Sequence, residues 1–404
     1  MINITDKKRC CGCAACVQRC PKHCIHMKED SEGFLYPEVD KSLCIDCGLC
    51  EKVCPFLHQD APIEVHAVRA VKNRNESERM NSSSGGVFIA LARAVIEENG
   101  VVFGAVFDEK WEVKHTSTDT IEGVYPMMGS KYLQSRIEHA YEEAESFLKQ
   151  GRKVLFTGTP CQLTGLRKYL RKDYPNLLAV DFLCHGVPSP KVWRKYLNEL
   201  TTRQGGGKNS VLSHPIGGKR TIRSIGFRSK SSGWKKYSFA LTLSEASADG
   251  EQNTVLLSRI HREDPYMKVF LSDIILRPSC YACKCKNGVS HSDLTIADYW
   301  GINQLMPDFD DDKGVGLVLV NTSKGEAYFE TLPMEVREST LADARRFNGG
   351  FKEHLRVHPK RQKFFERLDK CDDLIEWMEK CVKPSLKEWL YRKFNLLRSL
   401  RRNI

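Results

Sequence analysis

Apolar residues fall along the chain in short runs and helical stripes, with polar punctuation between them. Residues 65–71 alternate β-branched and other positions and read as a strand. From there the pattern predicts a helix over 84–98, strands over 101–107 and 112–116, and a helix over 137–149. It continues with a strand over 153–156, a helix over 161–171, a strand over 177–182 and a helix over 190–203. That order implies an α/β core with a mixed or partly parallel sheet. The run Gly205-Gly-Gly-Lys-Asn-Ser210 reads as a flexible joint. Beyond it, strand-like runs at 222–228 and 237–243 suggest a smaller β-rich subdomain. A strand at 315–320, a helix at 324–332 and a charged helical region from Leu341 follow.

The N-terminal stretch carries a different signal, one spacing written twice: Cys10-x2-Cys13-x2-Cys16-x3-Cys20-Pro21 and Cys44-x2-Cys47-x2-Cys50-x3-Cys54-Pro55. Three thiolates spaced two apart can wrap one face of an iron-sulfur cube, while the fourth, followed by proline, faces the other cube. The expected sets are therefore Cys10, Cys13, Cys16 and Cys54 for one 4Fe-4S cluster, and Cys44, Cys47, Cys50 and Cys20 for the second. Zinc ribbons or disulfides fit less well, because zinc sites use paired CxxC rather than triplets with a trailing Cys-Pro. Cys11 and Cys24 fall outside the register and read as buried thiols. The expected organisation is a two-cluster ferredoxin domain at 1–60, two halves of an oxidoreductase core at 64–204 and 211–335, and a basic helical region at 341–404.

Composition narrows the class. The chain has 404 residues, 41% of them hydrophobic, enough for two or three cores. Residues 1–8 hold no apolar signal core, and the longest oily run, 87–96, is broken by Arg93 and too short to span a bilayer. A cytoplasmic, reducing and largely anaerobic setting is expected, because eight of the 17 cysteines are claimed by cluster spacing and clusters need reduced thiolates. The formal charge of +11 fits either an acidic protein partner or anionic substrate, or a solvated basic surface. Nucleic acid is not expected as a partner, since no basic, aromatic-interleaved motif accompanies the charge. The tail from Leu386, with an apolar stripe among Lys387, Arg392, Lys393, Arg398, Arg401 and Arg402, suits peripheral membrane contact, a partner helix or docking on the core. The chain is expected to act as a homo-oligomer or as one component of a complex.

Chemistry outside the ferredoxin repeat gathers at four places. Ser82-Ser83-Ser84-Gly85-Gly86 precedes an apolar run, as either an anion-binding helix N-terminus or an ordinary capped one. Gly158-Thr159-Pro160-Cys161-Gln162 and Cys184-His185-Gly186 each follow a predicted strand, at the end where open α/β sheets bind ligands. Cys280-x2-Cys283-x-Cys285 follows Arg277-Pro278. Cys161, Cys184, Cys280 and Cys283 make four soft ligands for a third 4Fe-4S cluster, with Cys285 a substitute. Structural zinc and unrelated buried thiols are the alternatives.

Ser84-Gly85-Gly86-Val87, Gly129-Ser130-Lys131-Tyr132-Leu133-Gln134-Ser135, Gly158 to Gln162, Cys280-x2-Cys283 and Asp298-Tyr299-Trp300-Gly301 together resemble the coenzyme F-420 hydrogenase/dehydrogenase beta-subunit family. The resemblance covers about residues 64–335, with 7-hydroxymethyl chlorophyll reductases among the relatives. It implies FAD and one 4Fe-4S cluster in the core. By that resemblance Ser83, Ser84, Gly85 and Gly86 hold the FAD pyrophosphate, Lys131 lies near the flavin, Gly158, Thr159 and Pro160 form its other wall, and Tyr299 and Trp300 are adjacent aromatics. Cubes carry one electron and organic reductions need two, so a flavin is the natural junction. The expectation is an oxidoreductase acting on a small molecule, either the deazaflavin coenzyme or another acceptor such as a sugar or lipid intermediate of a polysaccharide pathway. The alternative is an electron-transfer subunit without a substrate of its own. A ferredoxin-like redox partner is expected in both cases.

Overall fold

The computed structural model describes residues 1–202, 220–246, 252–352 and 355–383. The joint at 205–210 and the basic tail from Leu386 lie outside the described residues.

An eight-stranded mixed sheet forms the centre. Its order is Met334–Ser339, Ala67–Asn73, Gly316–Val320, Leu294–Asp298, Leu177–Phe182, Val154–Gly158, Val101–Phe107 and Val113–Thr118. The four strands Leu294–Asp298, Leu177–Phe182, Val154–Gly158 and Val101–Phe107 run parallel, and those outside them pair antiparallel. Successive residues of the inner strands serve opposite faces. Val102, Leu155, Leu178 and Val180 pack with the helix Val87–Glu97, whereas Val101, Phe103, Val154, Phe156 and Ala179 pack with the helices Ala140–Lys149 and Pro160–Leu170. Both faces are covered, so these strands read as unbroken apolar runs instead of alternating ones.

The second face also receives the N-terminal module. Cys11, Cys13, Ala14, Ala15, Val53 and Phe56 share one apolar cluster with Tyr141, Leu163, Leu166 and Cys285. Gly165 permits that approach, since a Cβ there would stand 2.9 Å from the Cys13 Cβ and 3.0 Å from its Sγ. Within the module, the hairpin Ile25–Glu29 and Leu35–Val39 joins two short helices, Ala15–Gln18 and Leu49–Lys52. The repeat is conformational as well as sequential. Gly12 and Asp46, at matching places in the two motifs, have φ of +71° and +50°, and Ala14 and Gly48 have +59° and +70°. Left-handed residues at both positions curl each loop back on itself, the shape three thiols need to face one cube.

A separate antiparallel sheet, Arg220–Ser229, Ser238–Ala246 and Gln252–Ile260, packs with Pro190–Thr202 and Pro265–Leu271 around Trp193, Phe227 and Phe239. The described part of the C-terminal region, with helices Leu341–Phe347, Arg361–Leu368 and Leu374–Val382, is helical as its charge pattern predicts. Among the described residues no helix is long and apolar enough to cross a membrane.

Candidate functional site

The module contains two cavities ringed by thiols. One is lined by Cys10, Cys13, Cys16 and Cys54, with Cys11 beside them. The other is lined by Cys20, Cys44, Cys47 and Cys50, with Cys24 beside them. Each cavity draws three thiols from one motif and the fourth from the other, the crossed pairing that the spacing predicts. Cys24 sits 3.4 Å from Cys20, sulfur to sulfur, and both extra cysteines are buried. Among the described residues no three Cys, His, Asp or Glu side chains converge as a single metal ion requires.

The second thiol group gathers where the parallel strands end. Thr159 caps the helix Pro160–Leu170 through a reciprocal pair with Gln162, which places Cys161 in its first turn. Cys184 follows Leu177–Phe182. The segment carrying Cys280 is stitched beside it, because the Arg277 amide donates to the Val187 carbonyl at 2.9 Å and the Val187 amide donates to the Cys280 sulfur at 3.4 Å. These thiols perturb one another. Burial pushes Cys184 well up, with the neighbouring Cys280, Cys161 and Cys283 adding to it. Burial pushes Cys280 up to about 12, with Cys283 and Cys161 contributing. Cys161 is raised by its contact with Cys11, by burial and by Cys283. Crowded thiols that resist ionisation alone are the donor set that a cationic iron core would ionise and hold. Cys285, fully buried, senses Cys161 and Cys283 as well.

Cys11 connects the two groups. It lies in one cluster with Cys13 of the module, and Cys161 of the core packs against that cluster. The sequence marks it only as an off-register cysteine, and its place emerges from the docking of the module on the helix Pro160–Leu170.

The predicted cofactor-binding residues also meet at this edge. The Ser130 amide donates to the Ser83 Oγ at 2.7 Å, bringing the segment of Lys131 against that of Ser83. The Lys131 amine is wrapped by the carbonyls of Met127, Met128 and Gly129 at 3.0 to 3.3 Å, and burial pushes its pKa down to about 7. Near Lys131, His115 Nε2 lies 3.0 Å from the Thr157 carbonyl, one residue before Gly158. Thr159 Oγ1 is 3.2 Å from the Cys161 sulfur, so the wall of this region touches the core thiol group.

Cations line the other side. Arg228 forms a buried bidentate pair with Asp298 at 2.8 Å, donates to the Ser83 carbonyl at 3.2 Å, and lies over the rings of Tyr237 and Trp300. Lys230 donates to the carbonyls of Arg79, Ser84 and Lys313, and burial pushes it down to about 7. Trp234 stacks on Trp300 at 5.1 Å and donates to Asp298. Tyr299, by contrast, is a core residue hydrogen-bonded to Ser339.

The glycines also have a packing role. A Cβ on Gly85 would collide with the backbone of Gly316 and Val71, and Gly86, at φ +83°, would crowd Asn73. They allow the helix Val87–Glu97 to start tight against the sheet, with its first turn lacking a side-chain cap. That open helix start, beside Lys230 and Arg228 and near the stacked tryptophans, suits a flat group with an anionic tail. The sequence pattern does not single out Arg228, Lys230, Trp234 or His115. They sit at unremarkable places in strands and loops, and only the packing of the small sheet onto the large one assembles them.

Comparison with known proteins agrees with this division. Residues 151–341 match the family model for the C-terminal part of the coenzyme F420 hydrogenase/dehydrogenase beta subunit, and residues 9–57 match a 4Fe-4S dicluster domain. An uncharacterized protein of Methanocaldococcus jannaschii is 28% identical over 200 residues, 42% of this chain and 55% of that one. One of the subunits of the F(420)H(2) dehydrogenase of Methanosarcina mazei is 25% identical over 186 residues, 43% and 53% of the two chains. The chain thus spans about half the length of these curated relatives. A chain of the F420-reducing NiFe hydrogenase complex of Methanosarcina barkeri superposes with a TM-score of 0.42 at 16% identity, over 80% of this chain and 93% of that one. The chain thus carries an iron-sulfur 4Fe-4S dicluster domain over residues 9–57, followed over residues 151–341 by a region similar to the C-terminal part of the coenzyme F420 hydrogenase/dehydrogenase beta subunit.

Proposed function

We propose that the protein is an iron-sulfur flavoprotein oxidoreductase. It moves electrons between two ferredoxin-type clusters, a third 4Fe-4S cluster held by Cys161, Cys184, Cys280 and Cys283, and FAD seated between Ser83 to Gly86, Lys131 and Gly158 to Pro160. The observation that carries this reading is the packing of Cys11, Cys13 and Cys161 in one cluster, with Thr159 of the cofactor region 3.2 Å from the Cys161 sulfur. Bound flavin supplies the exchange between one-electron cubes and a two-electron organic substrate.

The chain's own residues have definable parts. Lys230 and Arg228 neutralise an anionic tail at the start of Val87–Glu97. Trp300, backed by Trp234, offers a flat wall. Lys131, whose amine titrates near neutrality, holds a proton at its Nζ and can yield it to a neighbouring acceptor. The substrate is a small organic molecule, either the deazaflavin coenzyme F420 or another acceptor such as a polysaccharide-pathway intermediate. Electrons enter from a protein partner at the outer cavity, where Cys47 is exposed and the same loop carries Leu43 and Ile45, 56% and 59% exposed.

A second reading, an electron-transfer subunit without its own substrate, draws on the name of the Methanosarcina mazei relative, which is one component of a dehydrogenase. Iron, sulfide and flavin counts on anaerobically purified protein separate the two. Three cubes require about twelve irons, expected together with one FAD, whereas about eight irons without flavin would sink the enzyme reading. Cys161→Ser should remove about four irons and leave the signals of the ferredoxin pair in place. Full iron retention would refute this ligand set.

A further inference from the structure

Arg277 is 0% exposed and sits where the module meets the core. Its Nε donates to the Cys10 carbonyl at 2.8 Å, one terminal nitrogen donates to Gln134 Oε1 at 3.0 Å, and the other donates to the Leu35 carbonyl at 2.9 Å and approaches the Cys10 sulfur at 3.7 Å. The guanidinium is sandwiched against Tyr36, 4.3 Å away, and Phe34, 5.4 Å away. Gly12 makes room for it, since a Cβ there would stand 2.9 Å from the guanidinium nitrogen.

Among the described residues no carboxylate lies within ion-pair distance of Arg277. The other buried arginines differ: Arg228 is matched by Asp298 and Arg79 by Asp311. A buried cation without a counter-charge is costly, and the thiols it feels are Cys10 first, then Cys11 and Cys280, so the anion nearest to it would be a cube in the cavity that includes Cys10. An all-thiolate 4Fe-4S cube is a net anion and becomes more negative on reduction, and cationic neighbours and N–H···S contacts favour the reduced form. Among the described residues the outer cavity has no matching buried arginine. There the Ile2 amide donates to the Cys50 sulfur, and the cations lining the cavity are the exposed Lys22 and the terminal amine, which is tied to Asp46.

Resting on the cluster assignment above, we propose that Arg277 is a potential-setting residue for the inner ferredoxin cluster, the one ringed by Cys10, Cys13, Cys16 and Cys54. Its charge raises that cluster's reduction potential and so draws electrons from the outer cluster toward the core. The step balances simply. The outer cube loses one electron, the inner cube gains it, no bond forms or breaks, and the guanidinium stays protonated throughout. The outer cube is re-reduced by an external one-electron donor protein.

The test is an EPR-monitored redox titration of the full-length, anaerobically loaded protein, with iron and sulfide counted first. Compared are the wild type, Arg277→Gln, Arg277→Lys and Gln134→Glu, the last keeping the arginine but pairing it with a carboxylate. Arg277→Gln and Gln134→Glu should each move one ferredoxin-type signal to a more negative potential, by at least a tenfold change in its reduced-to-oxidised ratio at fixed poise. For a one-electron couple that is about 59 mV. Arg277→Lys should move it less, and the remaining signals should hold. If Arg277→Gln fails to load, Gln134→Glu decides. Unmoved potentials in loaded variants would overturn the proposal, as would loss of iron from all three, which would make the guanidinium a structural strut. A wild type that binds no ferredoxin-type clusters would instead overturn the cluster assignment itself.

Discussion

His115 shows how a single side chain can carry information its sequence neighbourhood lacks. The Thr157 carbonyl can only accept, so Nε2 carries the hydrogen, and Nδ1 is left buried without a partner. The ring lies parallel to Phe156 at 5.7 Å, and burial pushes its pKa down to about 4. An imidazole depressed in the fold binds its proton more readily when unfolded, so stability rises with pH between the folded and unfolded values and falls as acid is added. Between pH 6.5 and pH 5 the wild type should lose about 1.5 kcal/mol through this group. Thermal melts of His115→Gln should be flatter over that range, and equal slopes would refute the assignment. Nothing in Val113–Thr118 singles out this histidine, because its environment comes from a strand 42 residues away. The ferredoxin cysteines were legible for the opposite reason: three ligands of a cube must come from one tight loop, so the chemistry is written in local spacing. Cys161, Cys184 and the Cys280 segment fall between these cases. Their strand-end positions were readable, and their mutual approach was not.

At the scale of elements, the helix Pro160–Leu170 does three things at once. It covers the sheet, presents Cys161 from its first turn, and receives the N-terminal module at Gly165. A valine at Gly165 would drive its side chain into Cys13 and the Tyr141 hydroxyl. Such overpacking costs about 1–3 kcal/mol. Gly165→Val should melt earlier and lose iron from the inner ferredoxin site while keeping the outer one, and a variant with full iron and an unchanged melt would contradict this. The apolar strands at the centre of the sheet were readable from their runs. Met334–Ser339 was not, because at the sheet edge Glu335, Arg337 and Glu338 face solvent and blur the pattern. Leu294–Asp298 also escaped notice, as five residues crowded behind a cysteine-rich loop. The third strand of the small sheet, Gln252–Ile260, bunches its apolar residues at Val255, Leu256 and Leu257 instead of alternating them, so it did not declare itself.

Across the whole molecule the thiol groups are graded in exposure, from Cys47 at the surface to the buried Cys184 and Cys285. If electrons enter at the exposed end, Ile45→Asp should slow reduction by a protein donor such as reduced ferredoxin, while leaving iron, flavin and reduction by a small chemical reductant unchanged. Stopped-flow absorbance distinguishes these, and an undiminished rate with the protein donor would place the entry elsewhere. The apolar cluster shared by module and core also governs how the inner site fills. Cys11, Cys13 and Cys285 are closed off by the same surfaces that join the two parts, whereas Cys10, Cys16 and Cys54 keep partial exposure, so a docked chain should fill or lose its inner metal group only from that open side. Loosening the seam should then speed the exchange of that group without touching the outer one.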